Sequence, residues 1–351
     1  MQQSLIRVER CNSGDSMINV GIIGVGYWGP NLIRNFIMNK RTNVSLICDL
    51  KKDRVSSMQR IYPFLNSVYD HREIIKANDI DLVAICTPVF THYEIAKAAL
   101  KANKNVLLTK PMTSTSIEAE DLVNMAAKKG LHIFVDHTFI YTGAVKKIKE
   151  LIVKKEIGEI YYFDSVRVNL GLFQHDVNVI WDLAPHDISI MQYLLDEFPE
   201  MIVATGADHF HNGLEDVAFV TAYFSNNLIA HIHVNWLSPV KIRQTLIAGS
   251  KKMIVWDDNE PSEKVRIYDK GVDVKNTSDE VYKLLIQYRT GDMHCPRIDN
   301  SEALQVEINH IVECMQQNKP AVTDGISGLN IVKVLEAAQA SIKNHGKAIR
   351  L

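Results

Sequence analysis

From Ile18 onward, short apolar runs alternate with stretches whose apolar residues recur at helical spacing. The pattern predicts strands at 19–24, 44–49, 82–87, 105–109 and 132–136, and helices at 31–39, 53–61, 71–76, 92–101 and 116–129. These strands are apolar at nearly every position, which suits a parallel sheet covered by helices on both faces. Gly130 is the expected left-handed stop of the last helix. Beyond residue 137 the rhythm changes. A helix at 144–154 and a strand at 159–169 precede a helical run at 188–195. Strand-like runs then crowd together at 201–206, 216–224, 228–236, 243–248 and 253–257, with Asn226-Asn227 as a hairpin turn. Helices at 301–316 and 329–344 end the chain. The expected architecture is α/β: a doubly wound parallel sheet followed by an α+β domain with a large, mostly antiparallel open sheet. The expected divisions are a flexible extension at 1–16, a nucleotide domain at 17–137 and a substrate and oligomerisation domain at 138–351.

The length of 351 residues agrees with two cores. The 39 basic and 41 acidic residues nearly cancel, so nothing points to nucleic acid or a membrane surface as partner. The five scattered cysteines form no C-x-x-C pair, which argues against a disulfide framework and for a reducing, cytoplasmic setting. No apolar run reaches membrane-spanning length, and residues 1–16 lack the apolar segment of a secretory signal.

The chemistry begins at Gly24-Val25-Gly26-Tyr27-Trp28-Gly29, which follows the first strand and opens the first helix. Gly24 suits a tight turn, Gly26 admits a pyrophosphate to bare backbone, and Gly29 lets the helix lie close to the strand. Asp49 ends the second strand, where a carboxylate accepts the adenosine-ribose hydroxyls and repels a 2′-phosphate. That favours NAD over NADP, although Lys51, Lys52 and Arg54 lie nearby. Thr87, Pro88 and His92 stand at the exit of the 82–87 strand, on the ligand-binding edge of such sheets. Thr109 and Lys110 end the next strand, so the ammonium lies at the same rim, where it can stabilise a developing alkoxide. His137 follows the last strand and joins the expected cofactor contacts. In the second domain, Asp182 and His186 are four apart, one helical turn, and the carboxylate can fix the imidazole tautomer there. Pro185 between them either kinks that helix or starts a new one. His209 with His211, and His231 with His233, lack a third ligand, so no metal is expected.

Together the Gly24–Gly29 loop, Thr87-Pro88 with His92, Lys110-Pro111, Asp182-x-x-x-His186 and the late Ser301-Glu302-Ala303-Leu304 segment resemble the Gfo/Idh/MocA oxidoreductase family over nearly the whole chain. The resemblance implies hydride transfer at a sugar or polyol carbon, with Lys110, Asp182 and His186 catalytic and His186 the proton acceptor. It also implies a homodimer or homotetramer joined through the second domain's sheet. Two positions depart from the family pattern: Thr109 replaces the usual glutamate before Lys-Pro, and 136–139 lacks an arginine. The run 166–179 is similar to members acting on nucleotide-linked sugars. By that likeness Arg167 pairs with a phosphate, Gln174, His175 and Asn178 meet sugar hydroxyls, and C3 of a UDP-linked acetamido sugar in surface-polysaccharide biosynthesis is the expected target. A free polyol or inositol is the alternative substrate. A catalytically inactive dinucleotide-binding regulator is the alternative of another kind.

Overall fold

The computed structural model describes residues 17–171, 174, 176–211, 213–275 and 285–351. The expected N-terminal extension and His175 lie outside these residues.

The first sheet contains β1 (Ile18–Ile23), β2 (Thr42–Cys48), β3 (Asn66–Val68), β4 (Leu82–Ile85), β5 (Asn105–Thr109) and β6 (Ile133–Asp136). Between them run α1 (Gly29–Met38), α2 (Lys52–Ile61), α3 (His71–Lys76), α4 (His92–Lys101) and α5 (Ser116–Lys129). Every pairing is parallel and the order is β3-β2-β1-β4-β5-β6. Strand order therefore reverses between β1 and β4, and a crevice opens there beyond the strand ends. All residues of β4 and β6 are buried, so both sheet faces are covered. Helix α5 has the signals that its sequence contains: a Thr115–Glu118 capping box and Gly130 at φ +63°. The short edge strand β3 was not anticipated, because Asn-Ser-Val has no apolar periodicity.

The second sheet adds α6 (Gly143–Val153), β7 (Ile160–Leu170), α7 (Val179–Leu195), β8 (Met201–Ala207), β9 (Val217–Tyr223), β10 (Ile229–Asn235), β11 (Leu237–Gly249), β12 (Met253–Asp257), β13 (Val265–Lys275) and β14 (Leu285–His294). Then come α8 (Ala303–Gln317), α9 (Gly325–Lys343) and β15 (Ile349–Arg350). Its nine strands run β14-β13-β12-β11-β7-β10-β9-β8-β15, antiparallel except for β7 beside β10. Helices α6, α7 and α9 cover one face around Phe163, Trp236 and Trp256. The other face leaves Tyr162, Phe219, Tyr223 and Ile229 exposed.

The structure changes one expectation here. Helix α7 starts at Val179, well before residue 188, and runs straight through Pro185. Val179, Ile180, Ala184 and Ile188 are all buried, and this packing offsets the backbone bond that proline cannot make. The late helices also reach back beyond the second sheet. Leu304, Ile308 and Ile311 of α8 pack on the β1–α1 face of the first sheet. Arg34 and Asn35 of α1 hold Glu302, with Arg34 Nη1 to Glu302 Oε2 at 2.9 Å. Helix α9 then joins both halves, with Leu329 and Val332 in one core and Ile331, Val334 and Leu335 in the other.

Candidate active site

The glycine loop lies at the switch point between β1 and β4. Gly24 has φ +96°, and a Cβ there would lie 2.7 Å from the Cys86 carbonyl; a Cβ on Gly29 would lie 2.2 Å from the Gly24 oxygen. Both positions therefore exclude a side chain. Gly26 differs, since the nearest atom to its missing Cβ is the tip of Arg54, 3.4 Å away. Bare backbone there faces open space beside the start of α1, the arrangement a pyrophosphate requires. Asp49 braces the loop, accepting the Val25 N–H through Oδ2 and the Lys51 N–H through Oδ1, each at 2.8 Å. Its oxygens retain acceptor capacity for ribose hydroxyls, so these residues fit a dinucleotide. Arg54 Nη1 lies 3.5 Å from Asp49 Oδ2, on the same patch.

His92 has another use. Its ring is 1% exposed and faces Thr87 O at 2.8 Å and Pro111 O at 3.0 Å. Burial lowers its pKa while these carbonyls raise it, and the ring sits between the β4 exit and the β5 exit, where a neutral ring donates to one of the two carbonyls. The expected cofactor contact is corrected to an internal brace. Thr109 supports the same junction, donating from Oγ1 to Ile85 O at 3.2 Å. Thr91 Oγ1 and Thr87 Oγ1 hydrogen-bond at 2.6 Å beside Pro88.

The junction aims Lys110 across to the second domain. Its Nζ donates to the Asp182 backbone oxygen and, at 3.2 Å, to Asp182 Oδ1. Trp236 Nε1 donates to the other carboxylate oxygen at 3.2 Å. Asp182 is thus occupied by Lys110 and Trp236, and His186 Nδ1 is buried without a partner. The expected Asp182–His186 tautomer bond gives way to a Lys110–Asp182 ion pair, because a long lysine reaches the carboxylate from the opposite domain. His186 packs edge-on to Phe139, with ring centroids 4.9 Å apart. Burial, then the positive charges of Lys110 and Arg167, push its pKa well below the ordinary histidine value.

Arg167 and Asn178 make contacts inside the second domain. Arg167 is 5% exposed and grips Asp187 through Nε at 2.7 Å and Nη2 at 3.1 Å. Asn178 caps α7, accepting from Trp181 N, while its amide donates to Glu215 and Gln339. These contacts lie inside the second domain, which spacing alone does not reveal, and Arg167 Nη1 is left buried without a partner. Gln174 is half-buried. His137 is 1% exposed, neither ring nitrogen has a partner, and burial drives its pKa to about 3.

Sequence reasoning missed several neighbours. Phe139 lies beneath the Arg167 guanidinium at 4.5 Å and that of Arg243 at 5.5 Å. Trp28 of the loop donates to Asp136, which also accepts from Thr138 Oγ1 at 2.5 Å. Glu307 of α8 presses on that carboxyl from the other side. Only the Trp28 indole inside the glycine motif hinted at such a contact.

A parallel sheet with a glycine-cradled switch point, facing an ion-paired lysine and a buried histidine, is the arrangement of an oxidoreductase with a nucleotide-binding domain. A family model described as an oxidoreductase family with an NAD-binding Rossmann fold matches residues 18–137, and the GFO/IDH/MocA C-terminal domain matches 145–255. The chain belongs to the Gfo/Idh/MocA oxidoreductase family. It is 26% identical over 272 residues to 2,7-anhydro-N-acetylneuraminate hydratase of Escherichia coli K12, covering 72% of this chain and 70% of that one. UDP-N-acetylglucosamine 3-dehydrogenase GnnA of Acidithiobacillus ferrooxidans superposes with a TM-score of 0.77 at 19% identity, covering 93% and 98% of the two chains. Levoglucosan dehydrogenase in complex with NADH and levoglucosan gives 0.80 at 19% identity, covering 95% and 99%. Among the described residues no helix is long and apolar enough to cross a membrane.

Proposed function

We propose that this chain is an NAD-dependent dehydrogenase that oxidises a secondary hydroxyl of a sugar, the C3 hydroxyl of a UDP-linked acetamido sugar in surface-polysaccharide biosynthesis. The carrying observation is the Lys110–Asp182 contact, which brings the rim of one domain to the helix of the other that bears His186. Gly24, Gly26, Tyr27, Trp28, Gly29 and Asp49 hold the dinucleotide, with Thr87 and Pro88 shaping its nicotinamide end. When bound, the nicotinamide supplies the hydride acceptor. His186, neutral at physiological pH because burial and cations lower its pKa, accepts the hydroxyl proton. The Lys110 ammonium, oriented by Asp182, stabilises the oxygen as negative charge grows on it. The GnnA likeness supports the nucleotide-sugar reading, and the levoglucosan enzyme supports a free sugar as the second reading. The convergence of Lys110 with Asp182 argues for a working enzyme rather than a silent regulator, despite Thr109. We also infer that a second copy covers the exposed Tyr162, Phe219, Tyr223 and Ile229 face, forming a homodimer or homotetramer.

The test follows absorbance at the NADH band with NAD plus UDP-N-acetylglucosamine, inositol or glucose. Reduction with the nucleotide sugar is the expected result. Reduction with inositol alone overturns the nucleotide-sugar reading, and the same panel with NADP reads the choice that Asp49 and Arg54 make.

A further inference from the structure

Beside His186 lies a cation that the reading above does not use. Arg243 of β11 pairs directly opposite Arg167 of β7, so both side chains leave the sheet on the face that α7 covers. Both guanidiniums lie against the Phe139 ring, Arg167 at 4.5 Å and Arg243 at 5.5 Å, and the same ring meets His186 edge-on. His186 and Phe139 keep some exposed surface, and the Arg243 side chain is 34% exposed. Accessible atoms therefore run from the base, past one aromatic ring, to a guanidinium.

The two arginines are not equivalent. Arg167 grips Asp187 through two nitrogens, and its third is sealed from any ligand. Arg243 is loosely held: Asp258 Oδ2 is 3.6 Å from its Nη1, beyond hydrogen-bond length, and Asp258 Oδ1 also draws Lys264 at 3.7 Å. Like charges directly opposite each other on neighbouring strands destabilise a sheet, and partial burial adds to the cost of the Arg243 cation. Four cations, Lys110, Arg167, Arg243 and Lys264, share three carboxylates, Asp182, Asp187 and Asp258, and Arg243 is the most exposed of the four. The charges of Lys110, Arg167 and Arg243 all reach His186, so the surroundings of the base are positive. A bound anion offsets that excess. We propose that Arg243 binds an anionic group of the substrate, a phosphate or a carboxylate, and so selects charged sugars at this site. A guanidinium offers parallel N–H donors that fit either group. Because one ring separates Arg243 from His186, the anion and the reacting hydroxyl belong to the same sugar residue or to its immediate linkage. Arg167 lends charge and packs on Phe139 without touching the ligand.

The proposal rests on the dehydrogenase reading for the identity of the reacting hydroxyl, and the experiment separates the two. Binding to protein saturated with NADH is measured by calorimetry, which needs no turnover. The probes are UDP-N-acetylglucosamine for a phosphate, glucuronate for a carboxylate and glucose for neither. In Arg243→Gln the expected result is a Kd about 10- to 100-fold higher for at least one charged probe, with glucose and NADH affinities within about 2-fold of wild type. Arg243→Lys keeps the charge but not the fork, and its Kd is expected between those of wild type and Arg243→Gln. A loss confined to the nucleotide sugar assigns the phosphate, and one confined to glucuronate assigns the carboxylate. Unchanged binding of both charged probes in Arg243→Gln overturns the proposal. So does a loss shared by glucose or NADH, which marks a structural role, and so does a wild-type protein that binds neither charged probe. The dehydrogenase reading fails separately, if wild type forms NADH from NAD with none of these sugars.

Discussion

Lys110 is the residue on which the two halves of the site depend. Its ammonium both pairs with Asp182 and depresses the pKa of His186. Lys110→Met removes both effects. The expected outcome is a kcat lower by roughly 10²–10³-fold, together with a His186 pKa that rises toward the ordinary histidine value, read by NMR titration of the ring. An unchanged His186 titration would show that burial alone sets its charge state. The sequence made Lys110, Asp182 and His186 legible, because their positions follow from strand ends and helical spacing. It did not reveal how they pair. Asp182 and His186 share a helix face, as expected, yet the carboxylate turns to a lysine separated from it by 72 residues. The Arg167–Asp187 ion pair was hidden for a related reason: only the packing of α7 on β7 brings the two together.

At the scale of elements, α8 imposes an unusual burden on the nucleotide domain. It inserts Glu307, 1% exposed, against Asp136 at the end of β6, and the pair shares the site with the Trp28 indole of the glycine loop. Burial and the neighbouring carboxyl raise the Glu307 pKa well above the ordinary value, and burial raises that of Asp136. Groups whose folded pKa is raised stabilise the fold fully below their unfolded pKa, about 4.3 for glutamate, and lose that contribution as pH climbs through the folded value. Glu307→Gln keeps the shape and removes the titration. Its melting temperature is expected to exceed that of wild type at pH 8, with the gap closing toward pH 4, as followed by thermal denaturation. A gap independent of pH would rule out the titrating pair. Apart from β3, the strands and helices of the first sheet were legible to within a few residues, because apolar periodicity and caps such as Thr115–Glu118 are local signals. Helix α7 through Pro185 and the strands β13 and β14 were not. Burial overrides the proline in the first case, and in the second the charged alternation and internal glycines of 265–275 and 285–294 carry little apolar signal.

For the whole molecule, the broad sheet face predicts assembly. Phe219 and Tyr223 protrude from β9, and Phe219 stacks on His233 with ring centroids 4.4 Å apart. Phe219→Arg on this face is expected to shift the protein from an oligomer to a monomer in light scattering, with melting temperature little changed at low concentration. A wild-type protein that already runs as a monomer would remove the interface. The open sheet was legible from strands crowded without helices. The return of the chain's end to the first sheet was not, because the apolar stripe of α8 does not say which core it covers.

That return has a consequence for how the protein is made. The nucleotide domain leaves the ribosome long before the segment carrying Leu304, Ile308 and Ile311, so its β1–α1 face emerges incomplete and apolar. Until that segment is made, the face has no cover of its own, the kind of exposed apolar surface that favours misassembly during folding. The helix that completes the first domain is translated only after the strands from β7 to β14 of the second sheet.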